Sequence, residues 1–145
     1  MITRSHKKEL TKSTAVYSDC ELYRYSLTRS WSNSKKKVLF IMLNPSTATE
    51  IQNDPTVERC ERRAKSLGYG AFKVCNIFAY RSTDPKVMRL QKDPIGPEND
   101  KIIIKSANWS NDIVCAWGTN GYHIETMCVC VREPRKKYHT CVGVV

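Results

Sequence analysis

The stretch from Lys37 to Leu43 (KVLFIML) limits the fold more than any other. It is an unbroken apolar run, too short for a core helix, and suits a strand buried on both faces. Such strands belong to sheets with helices packed against each side. The run stops at Asn44-Pro45-Ser46-Thr47, where proline removes a ladder donor and polar neighbours favour a turn.

The residues after this turn support a strand–helix–strand unit. Asp54-Pro55-Thr56 has the form of a helix start, with Asp as N-cap and Pro in the first turn. Val57, Cys60, Ala64 and Leu67 recur at helical spacing, and Gly68 supplies a left-handed cap. Ala71 to Phe78 then forms a second interior strand, so that strand, helix and strand make one parallel, right-handed crossover.

Leu22 to Trp31 alternates as a half-buried strand does. A short helix is expected from Pro85, another from about Glu98 to Ala107, and a third interior strand from Asp112 to Trp117. After a turn at Gly118-Thr119-Asn120-Gly121, a helix over 122–131 and a last strand from Tyr138 to Val145 complete the pattern. Residues 1–20 show no sustained periodicity and read as a loosely held, flexible arm. The expectation is one α/β domain over 21–145, a three-layer sandwich with a mixed, mostly parallel central sheet and helices on both faces.

Charge narrows the partners. Twenty-four Lys and Arg against fourteen Asp and Glu give a net charge of +10, which favours a polyanion such as a nucleic acid or a nucleotide. Arg59, Arg62, Arg63 and Lys65 gather on the polar side of the first helix, a basic face suited to a protein partner or simply to water. The seven cysteines are an odd count in largely apolar surroundings, which fits a reducing, cytoplasmic setting. No paired C-x-x-C occurs, so no metal is expected, and no cofactor motif is present. No apolar run is long enough to span a membrane.

Ligands of open α/β sheets bind beyond the carboxyl ends of the strands. There this sequence places Asn44, Ser46 and Thr47 after the first interior strand, Asn76, Tyr80 and Arg81 after the second, and Trp117 and Asn120 after the third. Amides and hydroxyls, an arginine for phosphate and aromatic rings for stacking would suit a nucleotide or a nucleic acid. Each also has a plainer explanation: Asn-Pro-Ser is a common turn, Arg81 could pair with Asp84, and Trp117 could be core.

Several of these motifs resemble a known family. Trp31, Leu43-Asn44-Pro45-Ser46-Thr47-Ala48, Asn53-Asp54-Pro55-Thr56, Gly68-Tyr69-Gly70, Asn76-Ile77-Phe78-Ala79-Tyr80-Arg81, Thr83-Asp84-Pro85, Gly96-Pro97 and Ala116-Trp117-Gly118 occur in the order found in domain of unknown function 1643, a bacterial and phage family. The resemblance runs from Tyr25 to Gly121 and implies no activity. A weaker likeness, of layout alone, is to uracil-DNA glycosylases, in which an Asn-Pro or Asp-Pro loop positions water. That likeness implies Asn44 orienting water and Asp54 assisting as base, in a hydrolase acting on modified bases. Family members continue past a strand like Thr140 to Val144 into a Lys and His-Pro segment, so the expectation is a chain shortened at its C-terminus. A third reading is a non-catalytic basic protein that engages a partner through the first helix.

Overall fold

The computed structural model describes residues 1–117 and 137–140. Ten elements appear in the order β1 (Ile2–Lys8), β2 (Thr11–Tyr17), β3 (Arg24–Ser30), β4 (Lys37–Met42), α1 (Pro55–Ser66), β5 (Ala71–Asn76), α2 (Pro85–Arg89), α3 (Asn99–Trp109), β6 (Asp112–Cys115) and β7 (Lys137–Thr140). The strands form a single mixed sheet in the order β1-β2-β3-β5-β4-β6-β7.

β4 pairs parallel with both β5 and β6, and β6 parallel with β7. The three interior strands therefore run the same way. The other half of the sheet is antiparallel, β1 on β2, β2 on β3 and β3 on β5. This corrects the expectation of a mostly parallel sheet. Its source is the N-terminal segment, which forms two strands where a flexible arm is expected. β1 is an edge strand with most side chains in water, and β2 buries only Ser13, Ala15 and Tyr17, so neither shows the alternation of large apolar groups that marks a strand.

The apolar run of β4 is explained by its two faces. Val38, Phe40 and Met42 pack with Val57, Cys60 and Ala64 of α1 and with Phe72 and Val74 of β5. Leu39 and Ile41 pack with Cys75, with Met88 of α2, with Ile103 of α3 and with Ile113 of β6. Each alternate side chain thus meets a different cluster, and emptying one such position, as in Leu39→Ala, costs about 2–5 kcal/mol.

Helix α1 forms where its ends are satisfied. Asp54 Oδ1 accepts from the amides of Thr56 and Val57 at 3.0 and 2.8 Å. At the far end Gly68 takes φ +76°. Its amide donates to the Lys65 carbonyl and that of Tyr69 to the Ala64 carbonyl, the paired bonds of a Schellman cap. The expected turn at 118–121 and helix over 122–131 lie outside the described residues, as does everything past Thr140.

Candidate functional site

The chain leaves β4 into a loop held from below by two arginines of β3. Arg24 is 2% exposed and Arg29 3%, and neither forms an ion pair among the described residues. Arg24 Nη1 donates to the Ala48 carbonyl at 2.7 Å, and Arg29 Nη2 donates to the Thr49 carbonyl at 2.6 Å and to Asn53 Oδ1 at 3.0 Å. Asp54 Oδ2 accepts from the Ala48 amide at 3.3 Å, and the Tyr17 hydroxyl donates to Glu50 Oε2 at 3.0 Å. A buried guanidinium bonded to carbonyls satisfies backbone acceptors that a tight loop cannot pair internally. Burial pulls Arg24 down to about 10, opposed by the charge of Asp54, so it stays cationic at neutral pH.

The same loop is joined to the segment after β5. Asn44 Nδ2 donates to the Ser82 carbonyl at 2.7 Å, and the Ser82 amide donates to the Pro45 carbonyl at 2.9 Å. Between them opens a groove of about 410 Å³ walled by Glu21, Leu22, Ser46, Thr47, Arg81, Ser82 and Thr83. Arg81 Nη1 donates to the Glu21 carbonyl at 3.3 Å, and its guanidinium lies 5.3 Å from the centre of the Tyr17 ring. No carboxylate pairs with Arg81 among the described residues. The Glu21 carboxylate is held instead by Arg4 at 2.6 Å.

Among the described residues, buried side-chain atoms without a partner concentrate at this end of the sheet. They are Arg24 Nε, Arg81 Nε, both amide atoms of Asn76, and Asn99 Oδ1. Asn76 closes β5 and is 1% exposed. Strand alternation turns its side chain to the face of Phe72 and Val74, the face that also buries Ala48. Asn99 Nδ2 donates to the carbonyls of Asn76 and Ile77 at 2.9 and 3.1 Å. Leaving such a group unpaired costs about 1–3 kcal/mol, so the cluster is the most polar-hungry place in the described core.

Of the residues expected at the rim, Ser46, Thr47 and Arg81 share the groove, and Asn44 fastens one of its walls. Tyr80 and Trp117 are partly buried against the cluster of Leu39, Ile41 and Met88 and are not among the groove's walls. Asn120 lies outside the described residues. Asp54 accepts from three backbone amides and acts as a cap. Arg59, Arg62 and Arg63 are exposed on α1, whereas Lys65 is bound to Glu61 at 2.6 Å. Arg24, Arg29, Ser82 and Thr83 are additions that the sequence alone did not single out.

Among the described residues no group of three or more His, Cys, Asp or Glu is placed to hold a metal ion, and no helix is long and apolar enough to cross a membrane. Residues 24–143 match the model of a family described as protein of unknown function (DUF1643). No curated protein and no solved structure matches the chain, so the likeness to uracil-DNA glycosylases gains no support.

Proposed function

We infer that the chain, which belongs to the DUF1643 family, binds a nucleotide, free or within a nucleic acid, in the groove at the carboxyl ends of β4 and β5. The observation that carries this reading is Arg81, which has an unpartnered Nε and no carboxylate partner among the described residues and stands in the wall of a groove rich in hydroxyls. A guanidinium with Ser, Thr and backbone donors around it is the chemistry that recognises a phosphate.

The glycosylase-like reading gives Asp54 the part of a base. Asp54 already accepts three amide hydrogens, so binding is better supported than glycosylase-like chemistry with Asn44 and Asp54. Thermal shift with nucleoside monophosphates and with inorganic phosphate tests the proposal. Ligand at about a hundred times Kd adds about 2.7 kcal/mol of stability. A shift that is lost in Arg81→Met supports it, and no shift with any nucleotide overturns it.

A further inference from the structure

A second groove, of about 720 Å³, lies away from the rim and shares no residue with it. Its walls include His6, Lys7, Lys12, Trp31, Ser32 and Asn33, and no carboxylate lines it among the described residues. The strand register fixes its place. Lys7 stands opposite Lys12, Lys12 opposite Ser30, Ser30 opposite Ala71, and Ala71 opposite Lys37. The groove is therefore at the amino ends of β4 and β5, roughly 17 Å along the strands from the rim.

Its charge is unneutralised. Lys7 and Lys12 are exposed and form no ion pair among the described residues. Lys65 Nζ sits 5.1 Å from the centre of the Trp31 ring and is paired with Glu61 at 2.6 Å. The acid nearest in the chain does not cancel it, because Glu9 is in the hairpin turn outside the walls.

We propose that this groove is a binding surface for single-stranded nucleic acid. Lys7 and Lys12 face phosphates, while the partly exposed Trp31 ring meets a base. Cations tracking a backbone beside an aromatic ring are the usual means of holding a single strand, because only unpaired bases present a free face for stacking. A duplex would use the lysines and leave Trp31 idle. The surface does not depend on the rim binding a nucleotide, and the two fail separately.

The test is fluorescence anisotropy with a labelled oligothymidylate of about 12 nucleotides, at about 50 and about 200 mM salt. Binding is expected to weaken steeply with salt and to fall by about tenfold or more in the K7E/K12E double variant, whose exposed strand positions leave the fold intact. The W31F variant, which keeps an aromatic ring packed against Phe72, should lose affinity and the quenching of indole emission. A mononucleotide bound at the rim should be unaffected by either variant. The proposal is overturned by absence of binding at low salt, by undiminished binding in K7E/K12E, or by tighter binding of a duplex of the same length. Binding to anionic lipid vesicles without binding to the oligonucleotide would overturn it equally.

Discussion

Arg24 and Asp54 grip opposite sides of one residue: the guanidinium donates to the Ala48 carbonyl at 2.7 Å, and the carboxylate accepts from the Ala48 amide at 3.3 Å. Ala48 is fully buried, so the middle of the β4 exit loop is fixed between a strand and a helix cap. The groove wall formed by Ser46 and Thr47 inherits that rigidity.

Arg24→Met removes the donor and leaves a buried carbonyl unpaired. The expected loss is about 2–3 kcal/mol, read by urea denaturation, with faster amide hydrogen exchange over residues 46–53 than elsewhere. Unchanged exchange in that loop would show that Arg24 does not hold it.

Asp54→Ala should cost about 1–2 kcal/mol, because the cap of α1 and the Ala48 anchor are lost together. Asp54→Asn keeps an acceptor oxygen and should recover a good part of that loss. If the two variants are equally unstable, charge outweighs capping at this position.

These two side chains also show what a single sequence does and does not reveal. Asp54-Pro55 announces its helix because the capping group and the amides it binds are neighbours in the chain. β4 announces itself because both its faces are covered. Arg24 and Arg29 give no comparable signal, since the carbonyls that receive them belong to Ala48 and Thr49, 24 and 20 positions away. The hairpin of β1 and β2 escapes notice for a different reason. Its contacts are edge pairing and small side chains such as Ser13 and Ala15, which carry little hydrophobic signal. Three of the proposed rim residues, Ser46, Thr47 and Arg81, do share the groove, because parallel strands bring their exits to one end of the sheet. Trp117 joins the core beside α3 instead, a choice between two faces that an interior strand's sequence cannot specify.

Alkaline pH should destabilise the fold. Burial pushes the Cys60 thiol up to about 12 and that of Cys115 up to about 11, from an ordinary value of 9.0. The folded chain then keeps protons that the unfolded chain releases. Stability is complete below about pH 9 and is lost progressively from about pH 9 to about pH 12. Denaturation at about pH 8 and about pH 10.5 should show this, with Cys60→Ala less stable at the lower pH but flatter between the two.

Thiol reactivity should separate the described cysteines. Cys20 is exposed, and its thiol is lowered chiefly by a hydrogen bond with Ser18, whereas Cys60, Cys75 and Cys115 are buried and raised by that burial. Iodoacetamide followed by peptide mapping should label Cys20 first among these four. Equal labelling of Cys75 in the native protein would contradict the packing around β5.

The central claim is that Arg81 and its hydroxyl neighbours form a phosphate-recognising groove, and isothermal titration with a nucleoside monophosphate addresses it most directly. The account predicts saturable binding to the native protein, and loss of about 1.5–3 kcal/mol of binding free energy in Arg81→Met, with the variant's unfolding free energy changed by less than about 1 kcal/mol. Nucleotide binding of undiminished affinity in Arg81→Met, or no heat of binding from the native protein with any nucleotide, would contradict it.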